Sequence, residues 1–538
     1  MKKLNLYFCL MIMASLLISC DTTQNSTGLS RSTPESQGVS SSGITDFMNA
    51  IDTGKVEMHS FMFLRHGKVI AEGWWEPYGA ISKHIMYSAS KTFTATGIGL
   101  AINENRLKLD DKIISFFPAS LPDTMSPLME KMTVRDLLMM STGQDAEPRR
   151  GQNDDWIRSF LSKEPTDEPG SIFRYNNTAT FMLSSIVQQV TGETLYNYLQ
   201  PRIFKPLEIS GIDWDLNPQG INLGMIGLRL HTEDMAKFGQ LLLQKGKWNG
   251  KQLIPEAWVA EATSKKIDSR GGNEKIPAEI NDWFQGYCYQ MWRGRHNSVR
   301  LDGMAGQFVL ILPDQDAVII LTANAQDTQK ELNNVWDYLL PAIKSENALP
   351  EDSTAYKAMV AKAASLNIPP SKIKSAASPV AQRISGKTIE LSENNFGIKA
   401  LVLSFTNDYC LVTYKRDSGS QSIKAGLNSW KYSETYLTSL LSAIRPASPK
   451  SRDANYSIIQ PVIRAAASYC WTDDNTLELT ARFVEEATGG EGIIIKFDEK
   501  WGNLNASIER KTARGAGMGG PGFSAAAATP LTGKVIEK

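Results

Sequence analysis

The sequence has few of the residues from which cross-linked and metal-bound proteins are built. Only 5 cysteines and 5 histidines occur among 538 residues. Beyond the N-terminal region, Cys288, Cys410 and Cys470 are too scattered to predict a disulfide framework or a zinc site. A Cys410–Cys470 bridge stays open without being predicted. The histidines show no metal-ligand spacing, and we expect neither a metal nor an organic cofactor.

The sequence also has no excess of either charge. Lys plus Arg and Asp plus Glu both number 57, which leaves no electrostatic argument for binding nucleic acid or a strongly acidic substrate. A small-molecule or peptide-like partner fits this balance better. With 538 residues, of which 42% are apolar, the chain is too long for one ordinary core, and two or three domains are expected.

The apolar run near the N-terminus is shorter than the roughly 20 residues that a membrane-spanning helix needs. Two lysines precede this run, Leu4 to Ile18, and Ser19 and Cys20 follow it. The pattern resembles a bacterial lipoprotein signal over residues 1–19, with Cys20 as the lipid-bearing first residue of the mature chain. A plain secretory signal is the alternative. We expect a lipid anchor in a bacterial membrane, on the periplasmic or surface side of the cell envelope, with residues 20–38 as a tether.

A serine and a lysine stand close together in the segment HIMYSASKTFTATG. A serine hydroxyl is a weak nucleophile at neutral pH unless a base takes its proton. Ser88 and Lys91 are three residues apart at the start of a predicted helix, which places both on one face. The N–H of Ser88 at the helix N-terminus could also stabilise an oxyanion. The same spacing recurs at Ser371 and Lys374, where no chemistry is expected, so only context supports the first pair.

Two further segments supply that context. PGSIFRYNNTATFML holds the only Tyr-x-Asn of the chain, Tyr175 and Asn177, in a loop before a predicted helix. There a phenol could face a cleft, although a loop-packing aromatic and a helix-capping Asn are the plainer interpretation. RLDGMAGQFVLILPDQDAVIIL begins as a glycine-flanked strand, and alone it could be only a hairpin that turns at Pro313-Asp314.

Together these segments resemble the serine hydrolases of the penicillin-binding protein and class C β-lactamase superfamily. The likeness spans about residues 33–345 and includes TVRDLLMMSTG and GLRLHTEDMAKFGQLLLQKGKWNGKQLIPEAWV. It implies that Ser88 is the acylated nucleophile and that Lys91 helps to deprotonate it. Tyr175 would act as base and then as acid toward the leaving group, and Asn177 would help to hold the substrate amide and the lysine.

The third motif departs from the family pattern. The family usually has Lys or His, a small residue and Gly, whereas this chain has Leu301-Asp302-Gly303. The cation that β-lactamases use toward the substrate carboxylate is therefore absent, which puts binding of an anionic β-lactam in doubt. Met304 can still complete an oxyanion hole with its backbone N–H, because that role needs no side chain. Gly303 and Met304 are thus the expected substrate-binding residues of this motif.

Two other features near these motifs have alternative interpretations. His84 precedes Ser88 by four residues, but a Ser-His-Asp triad would need an orienting acid that the sequence does not display. Several aromatic residues could wall a cleft beside the third motif or simply pack a strand core. They are Trp283, Phe284, Tyr287 and Trp292.

The domain plan follows composition and strand pattern. We expect an α/β (α+β) domain at 39–345, in which helices flank an antiparallel sheet beside an all-helical lobe. An Ala/Ser/Lys-rich linker at 346–382 leads to a separate all-β domain at 383–509, with a small barrel favoured over a sandwich. Residues 510–538 read as a disordered tail, because they offer little to bury.

These observations predict an envelope-anchored serine hydrolase that cleaves esters or amides. An esterase or peptide-amidase is placed ahead of a true β-lactamase, and a D,D-peptidase acting on cell-wall peptides is a rival within the same chemistry. A non-catalytic binding protein that has kept the fold is the rival of another class. No nucleic acid partner is expected.

Overall fold

The computed structural model describes residues 28–148, 150–151, 154–270, 277–370, 378–437, 439–441, 462–485, 489–500, 503–511 and 530–536. The predicted lipidation site Cys20 and the second Ser-x-x-Lys at Ser371 lie outside these residues. The helices are α1 Ser41–Gly54, α2 Ser90–Asn103, α3 Pro127–Lys131, α4 Val134–Leu138, α5 Trp156–Leu161, α6 Asn177–Thr191, α7 Leu195–Leu199, α8 Thr232–Leu243, α9 Glu256–Thr263, α10 Thr328–Asn334, α11 Leu340–Ala342, α12 Ser353–Ala364 and α13 Pro379–Ile384.

The strands fall into two groups along the chain. Those of the first domain are β1 Met58–Arg65, β2 Lys68–Trp74, β3 His84–Ile85, β4 Asp213–Trp214, β5 Leu228–Leu230, β6 Lys247–Trp248, β7 Lys251–Gln252, β8 Trp292–Arg293, β9 Val299–Gly303, β10 Gln307–Leu312 and β11 Ala317–Ala323. Those of the second domain are β12 Thr388–Leu391, β13 Ala400–Phe405, β14 Tyr409–Arg416, β15 Gly419–Leu427, β16 Lys431–Thr435, β17 Ile463–Asp473, β18 Thr476–Phe483, β19 Glu491–Lys500, β20 Asn503–Lys511 and β21 Leu531–Ile536.

An antiparallel sheet of order β2-β1-β11-β10-β9-β8 forms the centre of the first domain. Its inner strands are apolar without alternation because both of their faces are buried. One face, with Met62 and Val309, packs into the core that contains α2 and α8. The other face, with Phe61 and Phe308, packs against α1 and α10. Helices α3 to α7 lie on the α2 side, so the predicted arrangement of sheet, flanking helices and helical lobe is confirmed.

Two tight turns join neighbouring strands of this sheet. A turn at His66-Gly67 joins β1 to β2, and both residues have positive φ, 49° and 72°. The turn predicted at Pro313-Asp314 joins β10 to β11. In the segment GYCYQMW, only the last residue, Trp292, enters β8, and the rest makes isolated bridges and turns.

The predicted linker is partly wrong. Within 346–382, helix α12 packs against α1 and β2 and buries Met359 in the first domain's core, where Leu366, just after the helix, is also buried. The Ala- and Lys-rich composition conceals these apolar anchors, which are enough to hold a short helix on an existing surface. Residues 371–377 lie outside the described chain.

The second domain is a closed barrel in which all but one of the neighbouring strand pairs run antiparallel. Its ladder runs β15-β14-β13-β12-β21-β20-β19-β18-β17, and a parallel pairing of β15 with β17 closes the ring of nine strands, while β16 adds to β17 beside it. The barrel that the sequence favoured is therefore confirmed. The tail prediction for 510–538 is wrong at its end, because β21 bridges β12 and β20 and buries Leu531 and Val535. Closure of the barrel needs this strand.

Two further features of the described chain concern its helices and its cysteines. None of its helices combines the length and the apolar character needed to cross a membrane. Cys288, Cys410 and Cys470 are buried free thiols, so the bridge left open between the last two is not formed.

Candidate active site

Ser88 lies in a tight turn between β3 and α2. The sequence predicted it in the first helical turn, whereas the structure places it in a 3₁₀ turn, Tyr87–Ala89, directly before α2. Tyr87 has a φ of 43°, and the Ser90 hydroxyl donates to its carbonyl over 2.7 Å. This left-handed residue turns the chain sharply, and its strain is typical of a functional site.

Lys91 is buried against Ser88 on the same face, as the spacing predicted. Its Nζ lies 3.1 Å from the Ser88 Oγ and donates to the Asn177 Oδ1 over 2.8 Å and to the Met225 carbonyl over 2.9 Å. Burial lowers the pKa of Lys91 to about 7. A lysine with that pKa has a substantial neutral fraction near pH 7 and can accept a proton.

Tyr175 completes the group that the motifs predicted. The Lys91 Nζ lies 5.0 Å from the centre of its ring, and Ser88 lowers the pKa of its phenol by less than burial raises it. Burial raises the pKa of Tyr175, so the phenol keeps its proton at neutral pH. Behind it, Trp292 stacks at 6.0 Å and 17°, and Tyr287 meets the ring edge-on.

The aromatic residues near the third motif thus divide between the two interpretations. Tyr287 and Trp292 pack directly on Tyr175 and wall the site. Trp283 instead packs beside Phe308 on the opposite side of the sheet, with the Arg300 guanidinium 4.7 Å from its ring. The sequence pattern alone could not separate these two uses.

The two asparagines after Tyr175 have different tasks. Asn176 caps α6, accepting from the Ala179 N–H over 3.1 Å, which is the plain role that the sequence offered for an Asn here. Asn177 instead faces Lys91. Its Nδ2 donates to the Glu147 Oε1 over 2.8 Å. The helix cap and the contact with the lysine are therefore both present, on neighbouring residues.

Glu147 is a site residue that sequence reasoning missed. It accepts from both the N–H and the side-chain amide of Asn177, and its other oxygen lies 2.9 Å from Arg150. Glu147 raises the pKa of Lys91 and Arg150 lowers it, both less than burial does. Both residues lie in a loop without periodic pattern, and no local signal marked them.

The third motif packs against the turn that carries Ser88. A Cβ added to Gly303 would lie 2.3 Å from the Met86 carbonyl oxygen, so only glycine permits this approach. Leu301 is fully buried in the core. Met304 follows at the strand end, and its side chain is 43% exposed. The approach places the end of β9 beside the turn that carries Ser88.

Asp302 carries the charge of this motif, and it is paired. Its carboxylate accepts from the Arg300 Nε over 2.9 Å. Burial raises the pKa of the Asp302 carboxyl, against the opposing effect of Arg300. Arg300 is itself fully buried among aromatic rings, which suits a guanidinium held by cation–π contacts.

The Ser-His-Asp alternative does not fit the geometry. The His84 Nε2 lies 2.8 Å from the His59 Nδ1, and its Nδ1 is 3.3 Å from the Ile85 carbonyl. Burial lowers the pKa of His84 to about 3. The His84 imidazole therefore faces His59 and not Ser88.

A model of the Beta-lactamase family matches residues 49–342 of the chain. The chain therefore belongs to the Beta-lactamase family, within the superfamily of serine hydrolases that includes penicillin-binding protein homologues. The match covers the first domain, with Ser88, Lys91, Tyr175, Asn177, Gly303 and Met304, and not the barrel.

Individual relatives are distant. The chain is 22% identical over 298 residues to the 6-aminohexanoate-dimer hydrolase of Paenarthrobacter ureafaciens, covering 50% of this chain and 73% of that protein. Among solved structures, EstCE1, a hydrolase with promiscuous acyltransferase activity, is similar at 17% identity and a TM-score of 0.45, over 57% of this chain and 99% of that one. The octameric penicillin-binding protein homologue from Pyrococcus abyssi is similar at 14% identity and a TM-score of 0.44, over 91% and 99%.

Proposed function

We propose that the chain hydrolyses ester or amide bonds through an acyl-enzyme on Ser88. The observation that carries this proposal is the 3.1 Å contact between the Lys91 Nζ and the Ser88 Oγ, with a lysine pKa of about 7. A neutral Lys91 takes the serine proton as Oγ attacks the substrate carbonyl. The N–H groups of Ser88 and Met304 then stabilise the oxyanion.

Tyr175 completes the proton balance as an acid. Its raised pKa keeps the phenol protonated, so it can donate to the leaving oxygen or nitrogen as the bond to the acyl carbon breaks. The proton held by Lys91 then restores the phenol. Water attacks the acyl carbon, gives one proton back to Ser88 through the same groups, and releases the acid. An initial base role for Tyr175, as the family resemblance implies, would need a phenolate, which burial disfavours.

The pH profile should follow Lys91. Because the neutral amine is the active form and its pKa is about 7, kcat/KM should rise about tenfold per pH unit below pH 7 and level off above it. The buried histidines His59 and His84 have pKa values lowered to about 4 and 3, so they do not produce this limb. The measurement is kcat/KM from pH 5 to 9. A rate that falls as pH rises through 7 would mean that the ammonium form is required.

Substrates without a carboxylate beside the scissile bond fit the third motif best. Leu301 is buried where the family carries a cation, and the only formal charges on β9 are the paired Arg300 and Asp302. The carboxylate of Asp302 raises the pKa of Lys91, so its negative charge acts on the site. We therefore place neutral esters and amides ahead of β-lactams and of peptides that end in a carboxylate.

A four-substrate panel tests this order. It comprises p-nitrophenyl acetate, the 6-aminohexanoate dimer named for the relative, nitrocefin and a D-Ala-D-Ala peptide. We expect kcat/KM for nitrocefin to be roughly 100-fold or more below that for the ester, a usual cost of an unmatched charge in a specificity site. Preference for nitrocefin or the D-Ala-D-Ala peptide would favour the β-lactamase or D,D-peptidase alternative, and no turnover of any substrate would favour the binding-protein alternative.

We also propose that the mature protein begins at Cys20 and is held to a membrane by lipid. Two acyl chains anchor stably, whereas one does not. Cys20→Ser should move the protein from the membrane fraction to the soluble fraction, with unchanged ester hydrolysis. Fractionation of both forms from a bacterial host measures this. Membrane partition retained by the variant would contradict the lipid anchor.

A further inference from the structure

An ion pair joins the barrel to the first domain. Arg482, on β18 of the barrel, has a side chain only 8% exposed, and its Nη1 lies 2.7 Å from the Oε1 of Glu57, which precedes β1. The Glu57 side chain is 31% exposed, so the pair is partly shielded from water, and removing Arg482 frees the carboxylate and disturbs its other contacts.

The same carboxylate holds the end of β11. The Asn324 Nδ2 donates to the Glu57 Oε1 over 3.2 Å, and the Asn324 N–H donates to the Glu57 carbonyl over 2.8 Å. The barrel approaches this point a second time, because a Cβ on Gly489 would lie 3.5 Å from the Asn324 side chain. Asn324 is therefore held by Glu57, a residue of its own domain. Glu57 is held in turn by Arg482 of the barrel.

The next residue reaches the turn that carries the third motif. The Ala325 N–H donates to the Ala305 carbonyl over 3.0 Å, and Ala305 lies directly after Met304 with a φ of 61°. The Met304 carbonyl is held separately, by the Gln307 Nε2 at 2.9 Å. Two successive carbonyls of this turn are therefore held by hydrogen bonds. The Ala305 carbonyl is connected to the barrel through Asn324 and Glu57.

We propose that Arg482 is a positioning residue for the oxyanion donor at Met304, so that the barrel helps to set the rate of acyl transfer. The proposal rests on the proposed function of the Ser88 site. An oxyanion exists only once the carbonyl is attacked, so a displaced donor lowers kcat and leaves KM little changed. Small displacements of a catalytic group caused from a distance can cost up to about 100-fold in rate.

The test compares two variants in the full-length chain, Arg482→Gln and Asn324→Ala, with p-nitrophenyl acetate as the probe. Each should lower kcat about tenfold, with KM within about twofold. Because both act on one path, the double variant should be little worse than either single variant. Arg482→Lys, which keeps the charge beside Glu57, should recover most of the rate.

Tyr432→Phe is the matched control, since it removes another hydrogen bond between the domains, from the Tyr432 hydroxyl to the Pro77 carbonyl at 3.1 Å, and should keep kcat. Labelling of Ser88 by a fluorophosphonate separates this inference from the proposed function. We expect the variants to reach full labelling, but more slowly than the unmodified chain. If the unmodified chain is not labelled, the proposed function itself fails. Unchanged kcat in Arg482→Gln or in Asn324→Ala, or an equal loss in Tyr432→Phe, would overturn the inference. If Arg482→Gln does not fold, Asn324→Ala alone decides.

Discussion

Ser88→Ala is expected to lower kcat for p-nitrophenyl acetate by roughly 10⁴-fold or more, the scale that follows removal of a serine nucleophile. The hydroxyl contacts Lys91 at 3.1 Å, and the lysine pKa of about 7 lets that residue take its proton. Without the oxygen no acyl-enzyme forms, and what remains is the effect of the oxyanion donors and of binding. Steady-state kinetics with the purified variant measure the loss.

The control for this variant is Ser371→Ala, at the second Ser-x-x-Lys of the chain. It changes the same residue type with the same local spacing to a lysine, and activity should be unaffected. Thermal melting of both variants shows whether the fold is kept. Activity within tenfold of the parent protein in Ser88→Ala would mean that another nucleophile performs the reaction.

Lys91→Ala and Tyr175→Phe should each lower kcat by roughly 100-fold or more, the usual range for a positioned acid or base. Lys91→Ala removes the base and leaves the Asn177 and Met225 oxygens without their donor. Tyr175→Phe removes only the phenolic oxygen, so the stack on Trp292 and the melting temperature should remain. Asn177→Ala should be milder, because it weakens positioning and removes no reacting group.

Two controls match these changes away from the site. Lys237→Ala removes another buried lysine, whose Nζ lies 3.4 Å from the Glu208 carbonyl. Tyr289→Phe removes a phenol held by Arg135 and Glu261. Both should keep kcat within about twofold, since neither contacts the reacting groups. Loss of the inflection near pH 7 in Lys91→Ala, beyond the lower rate, would tie the pH profile to this lysine.

The sequence could predict the centre of the site because its geometry is local. One helical turn brings Ser88 and Lys91 together whatever the rest of the fold does. Tyr175, Asn177 and Gly303 are far along the chain, and they were found through the family resemblance and not through spacing. Their contacts with the Ser88 turn then follow from how the sheet and the helical lobe pack.

The contacts that the sequence could not predict join distant segments and lie outside periodic elements. The Met225 carbonyl accepts from Lys91, and Glu147 accepts from Asn177. Both residues lie in loops. Arg482 and Glu57 belong to different domains, and neither is marked by a motif. Composition misled in the same way at α12 and β21, where a few apolar residues outweigh the surrounding alanines and glycines once a partner surface exists.

Peptide mapping after reaction with a fluorophosphonate tests the central claim most directly. The reagent should add its phosphonyl group, with loss of fluoride, to one tryptic peptide, the one that contains Ser88, because the activated hydroxyl attacks phosphorus and the N–H groups of Ser88 and Met304 hold the oxygen. Ser88→Ala should abolish the adduct and Ser371→Ala should keep it. An adduct on another serine, or labelling unchanged in Ser88→Ala, would contradict the account.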